Sequence, residues 1–245
     1  VMMLTLGIVL FGSTVLLPQY TQVIMGYSAQ QAGMALSPGG FMVILLLPFV
    51  GFLVSRVDAR YLIGFGFLAM TLALFYMTGH LYEGMDFRTA VKLRILQSIG
   101  MPFLFIPINT LVYAGVAPQK FNTVSGIVNL SRNMGGDIGI AFVTTLVARR
   151  VQSHQNTLVG RTNPYDAGFM AKVGGIARSL ERAGSSSVDA SHKALSVVYR
   201  QLQQQAMTLA YLDAIKMLSI FTALMIPLLL LTRKPPGAGA PAGGH

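Results

Sequence analysis

The sequence predicts an all-α, polytopic membrane protein with six membrane-spanning helices. Three observations carry that prediction. Of its 245 residues, 53% are hydrophobic and only 11% charged, with a mean hydropathy of +0.60, a balance too apolar for a soluble domain of this size. No charged residue precedes Arg56. Beyond it the apolar runs are about twenty residues long, enough at ~1.5 Å per residue to cover a hydrocarbon core of roughly 30 Å, and polar turns separate them.

The first span is expected over residues 1–24, bent at Pro18 and ending in the polar Gln19, Tyr20, Thr21 and Gln22. Val1 lies inside an apolar run with no charged region before it, so no signal peptide is expected and the chain reads as part of a longer one. Ser28 is placed to cap the second span, 32–54, whose Pro38, Gly39 and Gly40 permit bending and close helix contact. A polar turn at 55–60 holds Arg56, Asp58 and Arg60, and a third span follows at 61–81. The connection 82–92 leads to a fourth span at 95–116, which carries Gln97, Pro102, Pro107 and Asn109, and 118–122 turns the chain into a fifth at 124–147.

Residues 148–206 form the one long polar segment, with eight basic residues from Arg149 to Arg200 and short helices expected at 167–183 and 189–205, the second running into the last span. The last span is expected at 207–231, and the Pro- and Gly-rich 232–245 is expected to be a disordered tail. Alternation puts Arg56, Arg60, Lys120, Arg233 and Lys234 on one side and Arg88 and Lys92 on the other. The short loops therefore place the turns at 55–60 and 118–122, with the carboxy terminus, in the cytoplasm, and 148–206 outside it.

The net charge of +10 is scattered between apolar runs rather than gathered on a polar domain, which argues against nucleic-acid binding. With no cysteine there is neither a disulfide framework nor a thiolate site, and His80, His154, His192 and His245 are too dispersed for a metal cluster. No enzyme chemistry is indicated.

The fifth run is the most informative. It is long enough to span, yet carries Asn129, Arg132, Asn133 and Asp137 in its interior. Ionisable groups at that depth cost roughly 2.5–3.5 kcal/mol each on insertion scales, so they normally face a bundle interior or a wet path. Asp137 lies near the midplane, where transporters place substrate and coupling-ion sites; it fits a proton carrier, or a static partner of a neighbouring helix. Arg132 precedes it by five residues, about 140° of helical rotation, so the two should leave on different faces. Gly135, Gly136 and Gly139 fit close helix packing. Gln97 and Asn109 either line the same pathway or satisfy a neighbouring backbone, and Arg56, Asp58 and Arg60 either gate a cytoplasmic mouth or anchor the turn.

Four runs resemble a known family: LPQYTQVIMGYSAQQAG from Leu17, GFLVSRVDARYL from Gly51, RILQSIGMPFLFIPINT from Arg94 and VSGIVNLSRNMGGDIGIAF from Val124. They are similar to the fourteen-span drug:proton antiporters of the major facilitator superfamily, of EmrB/QacA type. The resemblance implies that the six spans form one bundle of a major-facilitator fold, the carboxy-terminal bundle of an exporter in the bacterial inner membrane. Its partners would be a missing amino-terminal half, the lipid bilayer and a small lipophilic substrate, with room for a periplasmic adaptor and an outer-membrane channel.

No cofactor is implied beyond a proton gradient, which would drive efflux of lipophilic or cationic drug-like compounds by alternating access. The family pattern more often has a small residue where this chain has Asp137, so the proton role of that residue does not carry over from it. Export of one specific metabolite, or a non-transporting receptor or assembly protein using the basic outer segment, also fits the sequence.

Overall fold

The computed structural model describes residues 2–160 and 167–230. The chain there is all-α: α1 (Met2–Val23), α2 (Ala29–Val54), α3 (Ala59–His80), α4 (Phe87–Tyr113), α5 (Phe121–Gly160), α6 (Ala167–Arg182) and α7 (Ser187–Leu230), with a short 3-10 turn at Pro118–Lys120. The tail expected at 232–245, with Arg233 and Lys234, lies outside the described residues. Two compact units emerge, one of residues 2–144 and 214–230 and the other Thr145–Asp213, with α5 and α7 contributing to both.

Local chemistry sets the helix starts. Ser28 Oγ accepts from the Gln31 backbone at 3.2 Å while Gln31 Oε1 accepts from the Ser28 backbone at 3.0 Å, a reciprocal box that fixes the entry to α2. Asp58 caps α3 by accepting from the Arg60 backbone at 3.1 Å.

Two helices run past the expected spans. The fourth span was expected from Ile95, whereas α4 begins at Phe87 and takes in Arg88, Lys92 and Arg94. The fifth span was expected to end at Val147, whereas α5 runs on to Gly160; α7 is continuous over Ser187–Leu230, the helix expected at 189–205 running into the last span. The reason is common to all of them: a charged side chain ends an apolar run but does not break a helix. Arg and Lys are good helix formers, and neither Gly nor Pro interrupts 148–159 or 188–226.

In the first unit the helices meet at glycines. A Cβ on Gly100 of α4 would lie 2.9 Å from the Gly66 carbonyl oxygen of α3. Between α1 and α5 the approach is closer still. A Cβ on Gly135 would overlap the Leu4 carbonyl oxygen, one on Gly139 would come within 2.6 Å of the Ile8 carbonyl oxygen, and one on Gly7 would overlap the Arg132 carbonyl oxygen. The rising pairs Leu4/Gly135 and Ile8/Gly139 make α1 and α5 parallel, in a small-residue seam of the kind that brings membrane helices together. Ser219 of α7 donates to the Thr71 carbonyl of α3 at 3.2 Å.

Among the described residues five helices are long and apolar enough to cross a membrane, namely α1 to α4 and α7. α5 is not one of them, because Asn129, Arg132, Asn133 and Asp137 dilute its apolar stretch. Phe41, Ile44 and Leu45 of α2 and Tyr61, Leu72 and Phe75 of α3 stand exposed, an apolar belt suited to lipid.

The second unit packs the amphipathic α6 against the start of α7. Phe169, Val173, Ile176, Ala177 and Leu180 share one face of α6 and meet Ala194 and Val198. His154 Nε2 lies 2.8 Å from Asp213 Oδ2, and Arg150 Nε 3.6 Å from the same oxygen, tying the end of α5 to α7. Asp213→Asn removes the charge that both groups address. With about a quarter of that side chain exposed, it should lower stability by only ~0.5–1.5 kcal/mol. Thermal unfolding of the purified protein measures this, and an unchanged midpoint would mean that the tie contributes nothing.

Candidate functional site

One face of α4 organises the polar groups of the first unit. Arg94, Ser98, Met101, Phe105 and Asn109 recur at three- and four-residue spacing and so form a single stripe. Near its start, Gln97 is fully buried at 0% exposure and joins two helices. Its Nε2 donates to the Ser13 carbonyl of α1 at 2.8 Å, and its Oε1 accepts from Arg94 Nη1 at 2.9 Å. Of the two roles expected for Gln97, lining a pathway or satisfying a neighbouring backbone, its bond to the Ser13 carbonyl is of the second kind, and it also holds Arg94.

Arg94 Nε is enclosed and has no hydrogen-bond partner in the protein. It packs against Gly39 of α2, where an added Cβ would stand 2.7 Å from Arg94 Cγ and 3.0 Å from Nε. Sequence reasoning missed Arg94 as a site residue because the fourth span was begun one residue after it. The signal was present in the i, i+3, i+4 spacing of Arg94, Gln97 and Ser98, and in the Pro38–Gly39–Gly40 run that admits a bulky neighbour.

Lower on the stripe lies an apolar cavity of about 260 Å³ lined by Leu10 of α1, Val43 and Leu47 of α2, and Met101, Pro102 and Phe105 of α4. Arg132 of α5 places its guanidinium 5.7 Å from the centroid of the Phe105 ring, a cation–π contact. Its Nη2 donates to Asn129 Oδ1 at 2.7 Å, one turn back on the same helix. Asn109 Nδ2 donates to the Phe105 carbonyl at 2.6 Å, folding against its own helix. Arg132, held by Asn129, is thus the polar group that meets the Phe105 ring.

Asp137 and Asn133 do not join this group. Both are exposed on α5, while Gly135, Gly136 and Gly139 face α1 on its buried side. No ion pair links Asp137 to Arg132, in keeping with the ~140° between them. In the turn between α2 and α3, Arg56 stacks on Phe52 with Cζ 4.3 Å from the ring centroid, and Asp58 is occupied as a cap. Among the described residues no ion pair forms in that turn, so the gating role expected for Arg56, Asp58 and Arg60 has no paired charges here.

A larger groove of about 760 Å³ runs along α3 and α4, lined by Leu72, Phe75, Tyr76 and Leu96 among others. It is open and part of the apolar belt, and no convergent polar groups mark it as a binding site. Among the described residues no group of histidines and carboxylates could hold a metal ion.

Comparison with known proteins agrees with this architecture. The chain is 28% identical over 235 residues to the multidrug export protein EmrB of Escherichia coli K12, covering 96% of this chain and 44% of that protein. It is 27% identical over 229 residues to the probable multidrug resistance protein EmrY of the same strain, covering 92% and 42%. To the fatty acid resistance protein FarB of Neisseria gonorrhoeae it is 25% identical over 242 residues, covering 98% and 46%. The chain thus spans a little under half the length of these relatives. Residues 1–140 match the model of the Major Facilitator Superfamily, and with its apolar helix bundle the chain belongs to that superfamily as a multi-pass membrane protein.

Proposed function

We propose that this chain is the carboxy-terminal bundle of a secondary active exporter. It pairs with an amino-terminal bundle in the bacterial inner membrane and moves lipophilic, drug-like compounds outward by alternating access in exchange for protons. The observation that carries this reading is the apolar cavity among α1, α2 and α4 with the Arg132 guanidinium over its Phe105 wall. An apolar chamber with a few converging polar groups is the form that small-molecule sites take. The names of relatives support it, since EmrB is a multidrug export protein and FarB a fatty acid resistance protein.

In this arrangement α5 also crosses the membrane, with its polar residues turned to the pathway rather than to lipid. The carboxy terminus is cytoplasmic, and Thr145–Asp213 lies outside, where an adaptor leading to an outer-membrane channel would dock. Asp137, exposed on α5, is the carboxylate within the membrane and the candidate carrier of the coupled proton. Asp137→Asn in the native gene product is then expected to cut efflux of a fluorescent dye driven by a proton gradient by about tenfold or more, equivalent to at least ~1.4 kcal/mol. Inside-out vesicles with an imposed pH gradient provide the measurement. Unchanged transport and pH dependence would remove Asp137 from the mechanism.

A further inference from the structure

We propose that His154 and Asp213 form a proton-operated latch between the end of α5 and α7, tight when the imidazole is protonated and looser when it is neutral. The latch lies within Thr145–Asp213 and does not depend on the exporter reading. Little else holds the end of α5. The apolar cluster of this unit joins α6 to α7 and, among the described residues, contains none from α5. The face that α7 turns to α5 is small: Tyr199, Ala206, Ala210 and Asp213 recur at seven-, four- and three-residue spacing, and both alanines are fully buried.

Two polar ties straddle those alanines. His154 Nε2 meets Asp213 Oδ2 at 2.8 Å, and the next residue, Gln155, donates from Nε2 to the Tyr199 hydroxyl at 3.0 Å. Tyr199 and Asp213 are fourteen residues apart, about 21 Å along the helix, so neighbouring side chains of α5 grip α7 at two distant points. The amide–hydroxyl tie is uncharged. The other contains an imidazole, the side chain that changes charge between about pH 5 and 8. Neutral, His154 gives the carboxylate a hydrogen bond alone; protonated, it adds the attraction of opposite charges at contact distance. About a quarter of each side chain is exposed, so protons reach the pair from solvent. Falling pH therefore tightens the tie and rising pH loosens it.

The surrounding charges do not reverse that sign. Arg150 Nε stands 3.6 Å from the same carboxylate oxygen, but its side chain is 45% exposed, so its repulsion of a protonated His154 is screened while the 2.8 Å contact is direct. Arginine keeps its charge over this range, and Arg150 retains a weaker hold on Asp213 when His154 is neutral. Arg149 on α5 and Lys216 on α7 are exposed, and Tyr211 leaves α7 about 200° away from Asp213. α6 packs at Ala194 and Val198, the nearer of them fifteen residues or about 22 Å from Asp213, and its Lys172, Arg178, Glu181 and Arg182 are exposed. With this segment outside the cytoplasm, as proposed above, acidification of the external medium closes the latch.

Hydrogen–deuterium exchange of the full-length native gene product in detergent, read by mass spectrometry and corrected for intrinsic exchange rates, tests this. Protection of peptides covering 150–160 should rise about two- to fivefold between about pH 7.5 and about pH 5.5, the range for gaining one partly exposed ion pair, while α6 peptides stay constant. His154→Gln, which keeps an amide donor, and Asp213→Asn should each flatten the response, with α6 protection at the wild-type level showing that the unit is folded. His192→Gln, at an exposed position of α7, should leave the response intact. Wild-type protection that is flat or falls on acidification would overturn the latch. So would a response of wild-type size in His154→Gln or Asp213→Asn, or its loss in His192→Gln.

Discussion

Gly135→Leu is expected to prevent the protein from accumulating in folded form. The seam between α1 and α5 is backbone against backbone. A Cβ at Gly135 already overlaps the Leu4 carbonyl oxygen, and no rotamer change can move a carbonyl out of the way. Either α1 slides off α5, which also opens the contacts at Gly7, Gly136 and Gly139, or the helices bend. Overpacking a well-fitted core costs about 1–3 kcal/mol when flexible side chains can adjust, and here none can, so a loss at or above ~3 kcal/mol is expected.

Against a total stability of roughly 5–15 kcal/mol, such a loss removes much of the margin. Gly126 is the control. It lies on the same helix with nothing within 4 Å of an added Cβ, so Gly126→Ala should be neutral or stabilise by ~0.5–1 kcal/mol through the better helix propensity of alanine. Size-exclusion profiles and thermal unfolding of the solubilised variants decide it. A Gly135→Leu protein as monodisperse and as stable as the Gly126 variant would mean that α1 and α5 do not touch.

Much of the fold was legible because short-range chemistry writes it. The cap at Ser28 and the spaced apolar pattern of α6 are each contained within a few residues, as is the cap at Asp58, a residue expected in the turn instead. The start of α4 and the long α5 were not, since a membrane boundary and a helix boundary obey different physics. Hydropathy falls where Arg94 or Ala148–Arg149–Arg150 appears; the backbone, lacking Gly or Pro there, continues to pay its hydrogen bonds forward and stays helical.

The site divides along the same line. That Arg132 reaches Asn129, three residues back, and turns away from Asp137, five residues on, follows from helical rotation alone. That Arg132 comes to rest over Phe105 depends on the α1–α5 register fixed by glycines and on α4 packing beside it, which no local pattern encodes. Gln97 shows the limit most plainly. A polar residue inside an apolar span looks the same in sequence whether it lines a pathway or bridges two helices, and only its partners Ser13 and Arg94 decide between them.

Those partners make Gln97→Met the other large effect. Methionine matches the length and volume of glutamine, so little of the cost is a cavity. What is lost is the acceptor for Arg94 Nη1 and the donor to the Ser13 carbonyl. Nη1 would then join Nε as a second donor of one cation without a protein partner. Leaving buried groups of this kind unsatisfied costs about 1–3 kcal/mol each, and more for charged ones, so Gln97→Met should destabilise by ~2–4 kcal/mol.

If the penalty comes from the stranded guanidinium, Arg94→Met in the same chain should return part of the loss. An apolar pair of similar shape is often no worse than a buried charged one whose partners are incomplete. The thermal midpoint of Arg94→Met/Gln97→Met should therefore exceed that of Gln97→Met alone. Strict additivity of the two single losses would show that Gln97 stabilises the bundle through Ser13 only and that Arg94 finds its partner elsewhere.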